Sequence, residues 1–135
     1  MNKVFLGGTC NESKWRDELI SLLNIEYFNP VVEDWTPECM HEELKQREIC
    51  DFCLYVITPR MTGVYSIAEV IDDSNKRPDK TVFCVLESDV NAFSFSSAQL
   101  KSLNQVGRMV VSNGGYFAED MQDVANYLNY ASDRN

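Results

Sequence analysis

The sequence is short of positive charge. Its 135 residues carry 12 Lys or Arg against 21 Asp or Glu, a net charge of −9. A surface that grips DNA or RNA needs a basic footprint, so a nucleic-acid polymer is excluded as a partner, whereas an uncharged mononucleoside is not. Long apolar runs are missing too. The longest, Phe52 to Thr58, is strand-sized and far below the ~20 residues that cross a bilayer, so no membrane span is expected. Val4-Phe5-Leu6 runs directly into glycines, without the long apolar region of a secretion signal. The five cysteines, Cys10, Cys39, Cys50, Cys53 and Cys84, therefore read as reduced thiols in a cytoplasmic protein. Histidine is nearly absent, and His41 does not stand near a cysteine pair in ligand spacing. Cys50-Asp51-Phe52-Cys53 spells CxxC, but there is no second pair, and residues three apart on a strand face opposite sides. Neither a zinc nor a redox centre is expected, and a lone histidine without a Ser or Cys nucleophile motif gives no triad. The GxGxxG and GxxxxGK[ST] phosphate signatures are absent, so Gly7-Gly8 reads first as a tight turn.

What is present is an alternation of strand and helix signals. Val4-Phe5-Leu6 is a first strand stopped at Gly7-Gly8-Thr9. Trp15, Leu19, Leu22 and Leu23 form a helix stripe over 13–23, with Ser13 as N-cap. Ile25 to Phe28 is a second strand, stopped by Asn29-Pro30. Thr36-Pro37 opens a helix that runs to about Glu48, with Met40, Glu43, Leu44 and Arg47 on one face. Phe52 to Ile57 is apolar on both faces, as a central parallel strand should be. Residues 65–74 are helical, with Ile67, Ala68, Val70 and Ile71 on the apolar side. Thr81 to Leu86 is a fourth strand. Ser96-Ser97-Ala98-Gln99 resembles a capping box for a helix to about Leu103, and Arg108 to Val111 reads as a fifth strand. Met121, Val124, Ala125 and Leu128 mark a last helix, and 133–135 a frayed tail. The order predicts one α/β domain over 1–135, a five-stranded parallel sheet with helices on both faces, flavodoxin-like or Rossmann-like. No repeat, low-complexity tract or linker interrupts it.

In such a sheet ligands bind beyond the C-terminal ends of the strands, so polar residues just after strands are the first candidates. These are Gly7, Gly8, Thr9, Cys10 and Asn11 after the first strand, Asn29 after the second, and Thr58, Tyr65, Ser66 and Glu69 after the third. Glu69 sits in the first turns of a helix at the sheet mouth, where the dipole favours an ionised carboxylate, and that suits a nucleophile. A solvated helix glutamate is the plain alternative. Glu43 shares its face with Met40 and Leu44 and so points partly inward, its plain alternative being an i,i+4 ion pair with Arg47. Asp51 is placed to accept backbone N–H groups at a helix-to-strand corner. Lys76, Arg77 and Lys80 read as a solvated loop before the fourth strand.

The chain resembles the nucleoside 2-deoxyribosyltransferase-like superfamily, and within it a small branch common in phages and bacteria. The resemblance covers roughly residues 4–87. It rests on Phe5-Leu6-Gly7-Gly8-Thr9, a helix with Trp15, Phe28-Asn29-Pro30, Asp34-Trp35, Glu43 eight residues before Asp51, Tyr65-Ser66-Ile67-Ala68-Glu69-Val70, and the strand Thr81 to Leu86. It implies that Glu69 attacks the anomeric carbon of a nucleoside or nucleotide, forming a glycosyl ester that a second base or water resolves. Glu43 would assist proton transfer at the base and Asp51 support the site. Gly7, Gly8, Thr9, Asn11, Asn29, Tyr65 and Ser66 would bind substrate. This is two-carboxylate glycoside chemistry, with no metal or organic cofactor. Relatives are often homo-oligomers, and in some a neighbouring subunit completes the site, for which Asn113 is the candidate here. The chain departs from the pattern at Phe5, where many relatives carry Tyr, and at Gly63, where some carry Asp. Better-known transferases have Asp at the position of Glu43. The competing expectation is a non-catalytic module that senses or sequesters a nucleotide-derived molecule in the same pocket.

Overall fold

The computed structural model describes residues 2–10, 12–90 and 93–131. The expected tail at 133–135 and the candidate ligand residue Asn11 lie outside the described residues. The elements are β1 (Lys3–Gly8), α1 (Trp15–Ile20), β2 (Glu26–Phe28), α2 (Pro37–Ile49), β3 (Phe52–Ile57), α3 (Tyr65–Lys76), β4 (Thr81–Val85), β5 (Ser88–Asp89), β6 (Phe93–Ser94), α4 (Ser97–Ser112), β7 (Tyr116–Ala118) and α5 (Met121–Asn129). The main sheet is parallel and five-stranded in the order β2-β1-β3-β4-β7. This is the predicted α/β fold.

Period-two alternation divides the core. Val4 and Leu6 of β1, Leu54 and Val56 of β3, and Val82 and Cys84 of β4 face Trp15 and Leu19 of α1 and Val124, Ala125 and Leu128 of α5. Phe5, Cys53, Tyr55, Ile57 and Phe83 face the other way, onto Val70 of α3 and Leu103 and Val110 of α4. A strand buried on both sides has no reason to alternate polar with apolar, which is why β3 and β4 were legible as unbroken apolar runs.

The fifth strand is not where the sequence placed it. Arg108 to Val111, β-prone by composition, is the last part of α4. The capping box was read correctly: Ser96 accepts from Gln99 N–H at 3.1 Å and donates its own N–H to the Gln99 side chain at 2.8 Å. From there Leu103, Gly107 and Val110 keep a helical stripe buried through the segment. Gly107 keeps the stripe close to the sheet, since a Cβ there would sit 2.2 Å from the Phe117 ring. The strand that completes the sheet is the short Tyr116–Ala118, paired with Val82 to Cys84. Ser13 is not an N-cap either. Helix α1 begins after Lys14 without a side-chain cap, and the Ser13 hydroxyl donates instead to Asp89 of β5 at 2.8 Å. The small β5–β6 hairpin was not read from the sequence. Helix α2 follows expectation: Thr36 Oγ1 accepts from Cys39 N–H at 3.3 Å and Pro37 opens the first turn, a cap of about 1 kcal/mol.

Cys50 sits at the C-cap of α2 rather than on β3, so it packs in the same layer as Cys53, contrary to the expected opposite facing. Burial pushes the Cys53 and Cys84 thiols up to about 12. No described helix is long and apolar enough to cross a membrane.

Gly8 has φ +117°, and a Cβ on it would lie 2.1 Å from the Val56 carbonyl oxygen in β3. Backbone conformation and a backbone wall both exclude a side chain. Gly8→Ala is expected to lower stability by on the order of 3 kcal/mol, read as a shift in the urea midpoint. An unchanged midpoint would show that β1 and β3 can part at this point.

Candidate functional site

Strand β1 has β2 on one side and β3 on the other, so the chain reverses its winding at the β1–β3 boundary. Beyond the carboxyl ends of such a pair of strands the connections diverge and leave a crevice. Two cavities lie here and meet at Tyr65 and Ser66. One, of about 290 Å³, is lined by Gly8, Thr9 and Cys10 after β1, by Met61, Thr62 and Gly63 in the β3–α3 loop, and by Tyr65 and Ser66. The other, of about 240 Å³, is lined by Trp35, Met40, Glu43, Leu44 and Arg47, and by Tyr65, Ser66 and Glu69 of α3. Each alone is below the ~300–1,000 Å³ of small-molecule sites, and together they fall within it.

The first wall is rigid. The buried Arg16 donates through Nε to the carbonyl of Leu6 at 3.0 Å, through Nη1 to that of Thr9 at 2.7 Å and through Nη2 to that of Gly8 at 3.2 Å. The Trp15 indole N–H adds a second bond to the Thr9 carbonyl at 2.9 Å, and Thr58 N–H donates to Thr9 Oγ1 at 3.0 Å. Three carbonyls converging on one guanidinium hold the end of β1 in a fixed curl. Trp15 was visible in the sequence as a helix residue. Arg16 was not singled out, because its partners are main-chain atoms.

The second wall carries the charge. Met40, Glu43, Leu44 and Arg47 share a face of α2, as their spacing predicts, and that face lines the cavity. The i,i+4 Glu43–Arg47 ion pair, the plain alternative for Glu43, is not among the ion pairs of Arg47. Arg47 crosses to α3, donating to Asp73 through Nε at 3.2 Å and Nη2 at 3.0 Å and to Asp72 through Nη2 at 3.0 Å. Its Nη1 lies 3.6 Å from Glu69 Oε2. Asp73 is fully buried and also receives the Tyr55 hydroxyl and Arg77. Asp72 and Asp73 were not singled out in the sequence. Their pattern is that of solvated helix acids, and only the approach of α2 makes one of them a buried counter-ion.

Glu69 is pushed up to about 7. Burial is the main cause. Arg47 opposes it, and the charges of Glu43 and Asp73 add to it. Glu43 is also raised by burial, against a hydrogen bond from Trp35 and the charge of Arg47. Two carboxyl groups in one crevice, both raised by burial, form a pair able to divide proton-transfer and nucleophile roles between them.

Of the residues predicted to form a site, Gly8, Thr9, Tyr65, Ser66, Glu43 and Glu69 line the paired cavities. Gly7 lies one residue behind in β1, where a Cβ would meet the Tyr55 ring at 2.6 Å. Asn29 follows the edge strand β2, is exposed, and accepts Val31 N–H at 3.1 Å. Asp51 lies at the opposite end of the sheet: it precedes β3, and its carboxylate accepts Lys3 N–H at 2.8 Å. The catalytic support expected of it has no geometric basis, and it serves the corner as its position in sequence indicated. Asn113 is the C-cap of α4 and donates to Ser74 at 2.9 Å, away from the crevice. Lys76, the last residue of α3, stays exposed while pairing with Asp72, and Lys80 bonds the Glu48 carbonyl at the surface, whereas Arg77 departs from the expected solvated loop by pairing with buried Asp73. Phe5 is buried, stacked on Phe28 and tilted against Tyr55. A Cβ at Gly63 would meet nothing within 4 Å, so packing does not dictate a glycine there. Among the described residues no group of three or more His, Cys, Asp or Glu is arranged to hold a metal.

One protein family, described as nucleoside 2-deoxyribosyltransferase like, matches residues 1–88. The match takes in β1 to β4 with the helices between them, and so both Glu43 and Glu69. Helix α4, β7 and α5 lie outside it. No curated protein and no solved structure matches the chain.

The raised pKa of Glu69 has a consequence for stability. Its folded value lies above the ordinary 4.5, so its contribution is intact below pH ~4.5 and is lost as pH rises through about 7. Glu69→Gln, which cannot ionise, is expected to be more stable than the native chain by on the order of 2 kcal/mol at pH 8.5, after allowance for solvent screening. The gain should vanish at pH 4. Parallel denaturation curves at the two pH values measure it, and equal differences at both would contradict the assignment.

Proposed function

The chain belongs to the nucleoside 2-deoxyribosyltransferase-like family, and we propose on that footing that it cleaves or transfers the N-glycosidic bond of a nucleoside through a covalent glycosyl–Glu69 ester. The observation that carries this reading is that Glu69 and Glu43 face one crevice at the winding reversal of the sheet. The Glu69 carboxylate attacks the anomeric carbon, and the carbon–nitrogen bond to the base breaks. Glu43, facing Glu69 across the crevice, protonates the departing base. A second base or water then attacks the same carbon, yields its proton to Glu43 and releases Glu69 as a carboxylate. Trp35 and Tyr65 offer aromatic walls for a planar base, and Thr9, Thr62 and Ser66 offer hydroxyls to a sugar. Among the described lining residues the only cation is Arg47, and carboxylates already engage it. This favours an uncharged nucleoside over a 5′-phosphate.

We further propose self-association, as the resemblance implies. An apolar groove runs between α3 and α4, with Val64, Ile67, Ile71, Phe95 and Val106 among its lining, beside the helix that carries Glu69. A second copy is its expected occupant. Light scattering at micromolar concentration should give a multiple of 15.5 kDa, and a monomer alone would reject this part.

The chemistry is tested on a panel of nucleosides and 5′-monophosphates, with and without acceptor bases. Glu69→Gln is expected to lose more than ~10³-fold in turnover, of order 4 kcal/mol in the barrier, while still binding substrate. A 2-fluoro nucleoside should leave a glycosyl adduct on the native protein and none on the variant by mass spectrometry. Binding without turnover or adduct in either protein would instead identify a binding module.

A further inference from the structure

Asp73 is fully buried and already has the two partners its charge needs on its own side of the layer: Arg77, one turn along α3, and the Tyr55 hydroxyl from β3. A second arginine from a different helix exceeds that need. Arg47 is one of two buried residues of α2, the other being Gln46, so the helix is fastened to α3 largely through this side chain. The guanidinium is planar, with five donors in a fixed fork. Nε and Nη2 bind both oxygens of Asp73, at 3.2 and 3.0 Å, and Nη2 also binds Asp72 at 3.0 Å. Attachment at several points fixes the plane and leaves Nη1 facing Glu69 Oε2 at 3.6 Å. That is ion-pair distance and beyond a good hydrogen bond, so the carboxylate feels the charge while its lone pairs stay free.

We propose that Arg47 is the positioning residue of Glu69: anchored on buried Asp73, its guanidinium holds the Glu69 carboxylate at the crevice wall and stabilises its anionic form. The proposal rests on the reading that Glu69 is the nucleophile. The charged and titratable groups around Glu69 are Arg47 and Glu43 from α2, Asp73 and Asp72 from α3, Tyr65 at the start of α3, and Tyr55 and Arg77 behind Asp73. Among the described residues Arg47 is the one cation within ion-pair distance of Glu69. Its loss leaves Glu69 with acids as its direct neighbours and Arg77 only beyond Asp73, and a lysine there has one ammonium that cannot grip both oxygens of Asp73 and also face Glu69.

The test follows the Glu69 carboxyl carbon by NMR in the full chain labelled at glutamate, assigned by its disappearance in Glu69→Gln. The native midpoint is expected near 7. Arg47→Gln should raise it by about one pH unit or more, and Arg47→Lys by a smaller amount. Arg77→Gln, which removes another partner of Asp73 without touching Glu69, should leave it in place. With the nucleoside that the native protein turns over, Arg47→Lys should lower kcat at least ~10-fold with KM little changed, the mark of an interaction used in the transition state. An unmoved midpoint in the Arg47 variants, or an equal move in Arg77→Gln, would overturn the proposal. If Arg47→Gln does not fold, Arg47→Lys decides it by the same titration. A native protein that titrates as expected yet turns over no nucleoside would defeat the functional reading and leave the coupling of Arg47 to Glu69 standing.

Discussion

A carboxylate with no solvent access governs the architecture around the crevice. Asp73 lies on the inner face of α3, and an unpaired charge there would cost several kcal/mol. Each of its partners imposes a further requirement. The Tyr55 hydroxyl reaches it only because the Tyr55 ring crosses β1 at Gly7, where any side chain would collide. Arg77 reaches it from the end of α3. Arg47 reaches it from α2 and so brings the face bearing Met40, Glu43 and Leu44 to the crevice. Gly7-Gly8, first legible as a turn, is thus two separate demands. Gly7 admits a ring whose hydroxyl donates to a buried acid, and Gly8 admits the backbone of β3.

Helix α2 shows how a polar contact can replace a core. Its half-exposed Met40 and Leu44 do not join either apolar layer. They line the crevice instead. An amphipathic stripe normally faces a core, and here the apolar side serves a cavity while Arg47 makes the attachment to α3. A helix fastened by an ion pair leaves its apolar face to the crevice, which a helix fastened by packing could not do.

Most of the sheet could be read from the chain, and the residues that could not be read share a cause. Strands β1, β3 and β4 are apolar on both sides, and local composition suffices for them. The end of α4 deceived because Met109, Val110 and Val111 suit a strand equally well, and only the stripe through Leu103, Gly107 and Val110 distinguishes the cases. Glu43 and Glu69 could be singled out because each sits at a sheet mouth or on a helix face that spacing defines. The partner of Arg47 could not. The i,i+4 rule points to Glu43, but α3 offers carboxylates at 69, 72 and 73, and a buried acid competes for a cation far better than a half-exposed one. Asp51 shows the reverse case. Its place before a central strand was legible, and its distance from the crevice follows from the direction of β3, which carries the chain from that corner to the far edge of the sheet.

The same competition accounts for the state of Glu69. A carboxylate 3.6 Å from a guanidinium would ordinarily titrate low. Glu69 instead titrates near neutrality, because burial works against its charge and because Arg47 is shared. Asp73 takes two of the donors of the guanidinium and adds its own negative charge at i+4 from Glu69, and Glu43 adds another across the crevice. The group that anchors α2 is therefore also the group that limits how much of the cation Glu69 receives. A tighter grip of Arg47 on Glu69 would favour the anion and, on the proposed chemistry, leave a weaker nucleophile. A looser one would favour the protonated carboxyl. The buried pair sets the balance between the two, so the position of α2 and the charge state of Glu69 are consequences of one arrangement of charges.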